Sequence, residues 1–264
     1  MNLKNYYYQF PAVLTPKFVD DILEYGKQHT PEMAVTGGAQ RDDANKKDGK
    51  LKKSVIKDIQ RKRKSDIVWM NDTWIYKEIH PYIHEANQKA GWNFEWDFSE
   101  TCQFTVYHPG MFYAWHTDGG TRPYIPFDPT VKEQRRKDEK GEYVIVKNDE
   151  GKELEFDETY RDGKFKGVKR YVPAPGFVDN PNQFWKTRKL SVTVNLTNPK
   201  HYKGGDLKFD LGPHAGGKRY HLCKEIRPRG SIIVFPSFIH HQVTPVTQGT
   251  RYSLVIWNLG KMFK

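Results

Sequence analysis

The sequence predicts a β-rich α+β fold with a jelly-roll core, packing helices before the core and a long insertion within it. Apolar runs of strand length, separated by turn residues, occupy residues 101–119 and 188–259. Helical spacing of apolar residues is confined to residues 1–100. Charged residues, Pro and Gly dominate residues 120–187, where the pattern is weak. We therefore expect a support region over 1–100 and a jelly-roll domain over 101–264, interrupted by the insertion 120–187.

Two helices are expected in the support region. The first should begin at Thr15-Pro16, because threonine can cap a helix and proline suits its first position. The second should begin near Asp72, and Pro81 is a candidate for a kink inside it. We interpret the basic stretch 36–64 between them as a mobile, solvated loop, with binding of an anionic macromolecule as the alternative.

The strands of the core are expected where apolar and β-branched residues cluster between turn signals. These segments are residues 101–107, 112–118, 190–196, 206–209, 231–235 and 252–257. A short β-like piece at 143–146 falls inside the insertion. Strands of this length and spacing are typical of a sandwich or barrel, which favours the jelly roll.

Composition limits the class of protein and its partners. Two cysteines, Cys102 and Cys223, form no disulfide framework and fit a reducing compartment, so we expect a cytoplasmic protein. No apolar run reaches membrane-spanning length and residues 1–10 do not resemble a signal peptide, so no membrane partner is expected. The net charge of +11 allows a nucleic-acid partner, but the basic stretch has no interleaved aromatic residues to support one.

His116-Thr117-Asp118 is a candidate for a metal site. On a strand, residues i and i+2 point to one face, so an imidazole and a carboxylate would aim at the same point. A second histidine would complete the two-histidine, one-carboxylate set that leaves open positions on Fe(II). His240 and His241 are the candidates, but neighbours on a strand point to opposite faces. The pattern alone leaves open which of them faces the site.

Arg251 is a candidate for binding a carboxylate near the metal site. A buried arginine one strand after the histidines could take a carboxylate in bidentate fashion. Ser253 lies two residues further on, on the same face, and could add a hydroxyl. A dicarboxylate held there by its far end could chelate a metal with its 2-oxo-acid end. An ordinary surface ion pair is the alternative for Arg251, although the strand 252–257 has the composition of a buried one.

The order and spacing of these residues belong to a recognisable pattern. Its pieces are Tyr107-x-x-Gly110-x-x-Tyr113-x-x-His116-x-Asp118, then 188–196, 204–209, Phe235-Pro-Ser and His241-x-Val-Thr-Pro-Val-Thr-x-Gly-x-Arg251, continuing to Trp257. With them the sequence resembles the 2-oxoglutarate- and Fe(II)-dependent oxygenases of the prolyl-4-hydroxylase-like group. The resemblance extends weakly upstream, through residues 63–69.

The resemblance implies a role for each matching residue. The implied iron ligands are His116, Asp118 and His241, since the family's histidine precedes x-Val-x-Pro-Val and this selects His241 over His240. The implied 2-oxoglutarate-binding residues are Arg251, Tyr107, Ser253 and Asn195, although Asn195 stands where some relatives have a tyrosine. The implied substrate-binding residues are Tyr113, Arg188 and Trp257. No catalytic residue is implied beyond the metal centre.

The implied activity is that of a dioxygenase using Fe(II), 2-oxoglutarate and O2, with ascorbate as a candidate reductant. Its expected reaction is hydroxylation of a prolyl residue in a protein or peptide substrate. The alternatives are the same chemistry on a free amino acid, another side chain or a nucleobase, or a non-catalytic jelly-roll binding module. The insertion 120–187 is expected to cover the iron site, with simple packing at the barrel edge as its alternative.

Overall fold

The computed structural model describes residues 2–35, 45–119, 177–212 and 219–263, together with short segments between residues 123 and 171. The chain forms two compact units, one of Met1–Thr121 with Trp185–Lys264 and one of Arg122–Phe184. In the residues covered by this description, no helix is both long and apolar enough to cross a bilayer. Cys102 and Cys223 are both buried free thiols.

The larger unit contains the α-helices of the described chain and most of its strands. The helices are α1 (Pro16–Gln28), α2 (Lys53–Lys62) and α3 (Thr73–Lys89). The strands before the smaller unit are β1 (Tyr8–Phe10), β2 (Glu32–Met33), β3 (Lys46–Lys47), β4 (Lys50–Leu51), β5 (Arg63–Lys64), β6 (Asp66–Met70), β7 (Phe98–Ser99), β8 (Cys102–Tyr107) and β9 (Phe112–His116).

The strands of the smaller unit are β10 (Ile125–Pro126), β11 (Arg136–Lys137), β12 (Tyr143–Val144), β13 (Val146–Lys147), β14 (Glu153–Leu154), β15 (Asp157–Thr159), β16 (Lys169–Tyr171) and β17 (Phe177–Val178). The strands after it are β18 (Lys186–Asn195), β19 (Tyr202–Gly204), β20 (Leu207–Asp210), β21 (Tyr220–Leu222), β22 (Ile232–Pro236), β23 (His241–Val243), β24 (Val246–Gly249) and β25 (Arg251–Lys261).

The smaller unit consists of short strand pairs where it is described. β10 pairs with β17 in parallel, and antiparallel pairs join β11 to β12, β13 to β14 and β15 to β16. The strand expected at 143–146 is therefore interrupted, because its two halves pair with different partners. Only part of the insertion 120–187 is described, so its expected role as a cover stays a prediction.

Two antiparallel sheets build the larger unit. The eight-stranded sheet has the order β1-β22-β18-β25-β8-β6-β2, and β7 pairs with β25 beside this path. The five-stranded sheet has the order β21-β20-β23-β9-β5. Neighbouring strands such as β18 and β25 are far apart in the chain, as in a barrel or sandwich rather than a series of hairpins.

Alternating side chains of β22 show how sheets and helices are layered. Ile232 and Val234 pack in one cluster with apolar residues of α1 and α3. Ile233 and Phe235 point the other way and pack with apolar residues of β20. The eight-stranded sheet therefore has helices on one face and the five-stranded sheet on the other. The predicted β-rich α+β class, with a jelly-roll core and packing helices, is confirmed.

Both predicted helices form at the predicted places. The Thr15 hydroxyl accepts a hydrogen bond from the backbone N–H of Phe18 at 3.2 Å, and Pro16 is the first residue of α1. Asp72 precedes α3 as its cap residue, without a side-chain cap bond. α3 continues through Pro81, which removes one backbone donor but does not end the helix.

The described part of the basic stretch is not the loop that its charge predicted. Within its described part, residues 45–64, a β3–β4 hairpin leads into α2, while residues 36–44 lie outside the described residues. Val55, Ile56 and Ile59 share one face of α2, and Ile59 is buried. Burying such a side chain stabilises by about 1.5–3 kcal/mol, enough to anchor a helix whose other faces are charged and solvated.

Candidate metal centre and its cavity

Three side chains predicted as metal ligands lie together in the larger unit. One ligand atom from each of His116, Asp118 and His241 falls within 4.8 Å of the other two. Nε2 of His116 is 3.4 Å from Oδ1 of Asp118, and Nε2 of His241 is 3.5 Å from Oδ2. The five-stranded sheet produces this arrangement, because His116 at the end of β9 pairs directly with His241 at the start of β23.

Asp118 reaches the cluster from a turn rather than from a strand. β9 ends at His116, so the alternation argument does not apply to Asp118, contrary to the prediction. The turn is held instead by the carbonyl of Ser237, which accepts from the backbone N–H groups of Asp118 and Gly119 at 2.9 Å each. A Cβ atom on Gly119 would lie 2.7 Å from the carbonyl oxygen of Arg188, so this close approach requires glycine.

Both imidazole rings are fixed by backbone carbonyls. Nδ1 of His116 is 2.8 Å from the carbonyl oxygen of Ala114, and Nδ1 of His241 is 2.9 Å from that of Ile239. A carbonyl only accepts, so each Nδ1 must carry the proton and donate it. Each Nε2 is therefore left with a free lone pair that faces Asp118, as in histidines that ligate metals.

The charge states suit a divalent cation. Burial lowers the pKa of His241 to about 4 despite the attraction of Asp118, so this imidazole is neutral near pH 7. Burial alone would raise the pKa of Asp118, but His241, His116 and Arg188 together hold it well below its ordinary value. Two imidazoles with free Nε2 lone pairs and one carboxylate are the donor set that fits Fe(II).

The structure places His241, and not His240, in the cluster. β22 stops at Pro236 and a turn intervenes before β23, so the strand does not run unbroken to the histidines. The ring of His240 lies 5.6 Å from that of Trp115, and its Nδ1 lies 3.7 Å from Asp210. The two neighbouring histidines thus lie in different surroundings, and of the two only His241 lies on β23.

The cluster lines a cavity in the larger unit. Of the residues predicted from the sequence, Tyr107, Tyr113, Arg251, Ser253 and Trp257 also line it. Burial raises the pKa of both tyrosines, that of Tyr113 to about 12, so both phenols are neutral.

Arg251 is a buried cation that faces this cavity. It is 2% exposed, its Nη1 donates to the Ser253 hydroxyl at 3.3 Å, and its guanidinium carbon lies 5.5 Å from the Tyr107 ring centroid. A Cβ atom on Gly205 would lie 2.9 Å from Cδ of Arg251, so glycine makes room for the arginine. Among the described residues, no carboxylate forms an ion pair with Arg251. A buried charge without a counterion suits an anionic ligand.

Arg188 supports the cavity wall without lining the cavity. Its guanidinium forms an ion pair with Glu100 and donates to the carbonyl of Asp118 at 3.1 Å. It also lies 4.0 Å from the ring centroid of Trp257. The arginine expected at a substrate mouth therefore contacts the aromatic residue expected beside it.

Asn195 is the predicted site residue that the structure places elsewhere. Its side-chain amide donates to the carbonyls of Thr197 at 2.9 Å and Arg227 at 2.7 Å, and its oxygen accepts from the backbone N–H of Thr197 at 3.3 Å. These bonds fix the chain after β18 and use both sides of the amide. The prediction that Asn195 contacts 2-oxoglutarate does not agree with this arrangement.

Arg63 is a cavity residue that was not predicted. It is 5% exposed, lines the cavity and lies with its guanidinium carbon 4.6 Å from the ring centroid of Tyr113. The Tyr113 ring in turn stacks on that of His116, with centroids 3.4 Å apart. The signal available in the sequence was the weak upstream similarity at 63–69, which the surrounding charge run obscured.

Comparisons with known proteins agree with this arrangement. The model of the 2OG-Fe(II) oxygenase superfamily matches residues 168–258, a segment that contains His241 and Arg251. A PKHD-type hydroxylase of Synechococcus sp. (strain JA-2-3B'a(2-13)) is 38% identical over 68 residues, 26% of this chain and 27% of that protein. PKHD-type hydroxylase YbiX of Escherichia coli O157:H7 is 36% identical over 80 residues, 30% of this chain and 31% of that protein. The matches thus span less than a third of these relatives.

A solved structure extends the likeness over the whole fold. A prolyl-4-hydroxylase of Pseudomonas putida aligns with a TM-score of 0.53 and 15% identity, covering 97% of this chain and 94% of that one. At that identity the likeness is evidence of a shared fold. Residues 168–258 are thus similar to the 2OG-Fe(II) oxygenase superfamily, and the two-histidine, one-carboxylate cluster lies in a fold shared with the Pseudomonas putida enzyme.

Proposed function

We propose that this chain is a dioxygenase that hydroxylates a C–H bond at the cavity, with His116, Asp118 and His241 as its iron ligands. The observation that carries the proposal is one cavity lined by these three side chains and by the buried guanidinium of Arg251. Members of the superfamily use Fe(II), 2-oxoglutarate and O2. A cation site beside a carboxylate receptor matches the two ends of 2-oxoglutarate.

The bound iron would supply the oxidising chemistry, in which 2-oxoglutarate and O2 become succinate and CO2 and one oxygen atom enters the substrate. The chain's own residues bind and orient the reactants. Arg251 would hold the distal carboxylate through its planar fork, and the Ser253 hydroxyl 3.3 Å away would add a hydrogen bond. Tyr107, whose ring lies beside that guanidinium, would fix its position.

The rest of the cavity wall is largely apolar. Leu207, Phe235 and Val255 line it and contribute no hydrogen-bonding side chains. Such a lining excludes water from the reacting atoms and strengthens the electrostatic contacts inside. This environment suits a site that must direct an oxidant to a single C–H bond.

We further propose that the reacting group is a prolyl residue of a protein or peptide. The support is the shared fold with a prolyl-4-hydroxylase and the aromatic rings of Tyr113 and Trp257 in the cavity wall. Flat aromatic faces suit the apolar edge of a pyrrolidine ring. Hydroxylation of a free amino acid or of another side chain would use the same metal and cosubstrate groups.

The test is product analysis. Prolyl peptides are incubated with the protein, Fe(II), 2-oxoglutarate and air, and the products are analysed by mass spectrometry for gain of one oxygen atom. Omission of 2-oxoglutarate and the His241→Ala variant serve as controls. Gain of oxygen that depends on both supports the proposal, and fragmentation locates the oxygen. Succinate formation without any oxidised prolyl peptide would refute the prolyl assignment but keep the enzyme class.

A further inference from the structure

Arg63 occupies an unusual position for a cation. β5 pairs with β9 so that Arg63 lies opposite Tyr113, next to the metal cluster. Its Nε donates to the Ser65 hydroxyl at 2.9 Å, while its Nη2 is buried and has no hydrogen-bond partner. The cation–π contact with Tyr113 offsets part of the cost of burial but satisfies none of the guanidinium donors.

A second residue with an unsatisfied donor lines the same cavity. In the part of the chain that the structure describes, three buried side-chain N–H atoms have no partner: Nη2 of Arg63, Nε1 of Trp257 and Nε1 of Trp92. Two of these residues, Arg63 and Trp257, line the cavity, whereas Trp92 does not. Buried donors are nearly always satisfied in folded proteins, so two together in one cavity point to an acceptor that comes from a ligand.

Charge balance indicates what kind of acceptor this is. The formal charges lining the cavity are the two guanidiniums of Arg63 and Arg251 and the carboxylate of Asp118. Fe(II) and dianionic 2-oxoglutarate balance each other when bound, and Asp118 balances one guanidinium. Arg188 adds no net charge because it is paired with Glu100. One buried positive charge therefore remains in the loaded site, which favours an anionic group on the remaining reactant.

We propose that Arg63, assisted by the indole N–H of Trp257, receives a carboxylate of the substrate. This inference rests on the proposed function and narrows its substrate class to molecules with a carboxylate near the reacting C–H bond. A free amino acid, the C-terminal residue of a peptide and a residue beside an acidic side chain all offer that group. Arg251 keeps its separate role toward 2-oxoglutarate.

The experiment measures binding, without turnover, to protein loaded with Mn(II) and 2-oxoglutarate. Matched probes differ only in the carboxylate. For a free amino acid the pair is L-proline and L-prolinamide, and for a C-terminal residue it is N-acetyl-L-proline and its carboxamide. For a residue beside an acidic side chain it is an end-blocked Pro-Glu dipeptide and its Pro-Gln counterpart. Each pair is also made with the other amino acids in place of proline. Calorimetric titration gives the acid-to-amide preference for each pair, and the pair with the largest preference identifies the source of the carboxylate.

The expected result is that at least one acid binds the wild-type protein at least about tenfold more tightly than its amide, as a charged hydrogen bond allows. Arg63→Gln should abolish this preference, while its 2-oxoglutarate affinity stays close to that of the wild type. Arg63→Lys should keep part of the preference, because lysine keeps the charge but not the planar fork. Trp257→Phe should reduce it, since phenylalanine keeps a ring but has no N–H.

Three results would overturn the inference. They are equal binding of acid and amide in every wild-type pair, a preference that survives in Arg63→Gln, and a loss of 2-oxoglutarate affinity in Arg63→Gln as large as in Arg251→Gln. If Arg63→Gln does not fold, the test rests on Arg63→Lys and Trp257→Phe. An unchanged acid-to-amide preference in both of these variants would refute the inference. Absence of iron-dependent succinate formation by the wild-type protein would instead refute the proposed function.

Discussion

The metal cluster (His116, Asp118 and His241) and the two buried arginines (Arg63 and Arg251) line one cavity but are stabilised in different ways. The polar groups of the metal cluster have partners within the chain. Backbone carbonyls accept hydrogen bonds from both imidazoles, and both imidazoles lie close to the carboxylate of Asp118. The arginines have the same charge, and neither forms an ion pair within the described residues. The geometry of the metal cluster is thus set in advance by the chain, whereas the arginines depend on ligands for their counterions.

This difference predicts separable effects. Changes in the metal cluster should act on metal binding, and changes at the arginines should act on the binding of anions while the metal still binds. A variant that disturbs both in equal measure would show that the two regions form one unit.

The largest effect is expected at the metal cluster itself. His241→Ala should lose Fe(II) affinity by more than the roughly 10–100-fold that loss of a supporting partner costs, because a ligand is removed. His240→Ala is the matched control and should bind Fe(II) nearly as well as the wild type, since His240 faces Trp115 and Asp210. Metal titration followed by dialysis and elemental analysis measures both. Equal losses in the two variants would contradict the assignment of His241.

The next effect is expected at Arg251. Arg251→Ala should raise the 2-oxoglutarate concentration needed for half-maximal turnover by roughly 30-fold or more, from the ~2–5 kcal/mol cost of truncating a buried charged partner. Arg251→Lys should rescue this only in part, because lysine lacks the planar fork. Fe(II) affinity, measured in parallel, should stay near the wild-type value. An unchanged requirement for 2-oxoglutarate would exclude Arg251 as the carboxylate receptor.

A pH effect should arise from the metal cluster in the metal-free protein. Burial lowers the pKa of His241 to about 4 in the folded protein, whereas in the unfolded chain this histidine has its ordinary pKa of about 6.5. As pH falls, the unfolded chain therefore binds a proton at His241 before the folded protein does. The free energy of unfolding should therefore fall as pH drops through this window, by something on the order of 2 kcal/mol. Asp118, with its lowered pKa, adds a loss in the same direction below its ordinary value.

Denaturant titrations of the metal-free protein between pH 7 and 4 measure this slope. His80, whose pKa burial also lowers, contributes to it, so the part due to His241 is the difference between wild type and His241→Asn. The variant should show a shallower loss. The same slope in both proteins would mean that His241 is not held neutral by the fold.

The smallest effect is expected at Gly205, which packs against Arg251. Gly205→Ala should lose about 1–2 kcal/mol of unfolding free energy from backbone strain, because Gly205 has a φ of 61°. It should also weaken 2-oxoglutarate binding, since the new Cβ would lie 2.9 Å from Cδ of Arg251. Gly49→Ala is the control, because Gly49 has a φ of 72° and nothing within 4 Å of the new Cβ. It should lose stability alone; loss of 2-oxoglutarate binding there too would show that strain, and not contact with Arg251, is the cause.

The parts of the site that strand alternation governs could be predicted from the sequence. Arg251 and Ser253 share a face of β25, because residues i and i+2 of a strand point to the same side. Strand alternation does not explain the position of Asp118, because backbone hydrogen bonds to Ser237 fix the turn on which it lies. Asn195 shows that the role of a residue cannot be transferred from its aligned position alone. A side-chain amide can form hydrogen bonds with nearby backbone groups as readily as with a ligand.

Arg63 and α2 were hidden by the same property of the sequence. A run of lysines and arginines has the composition of a solvated loop, and composition averages over residues that face opposite ways. Ile59 and Arg63 are buried while their charged neighbours are exposed, so burial of single residues in the run depends on β5 pairing with β9. That pairing joins segments far apart in the chain, and no local pattern specifies it.

The central claim is that the metal cluster and Arg251 hold iron and 2-oxoglutarate together in one cavity. It is tested most directly by anaerobic addition of 2-oxoglutarate to the Fe(II)-loaded protein, followed by visible absorption. A 2-oxo acid that chelates Fe(II) gives a charge-transfer band. We expect this band to appear and saturate in the wild type, to require far more 2-oxoglutarate in Arg251→Ala, and to be absent in His241→Ala. A wild-type protein that shows no band at saturating Fe(II) and 2-oxoglutarate would contradict it.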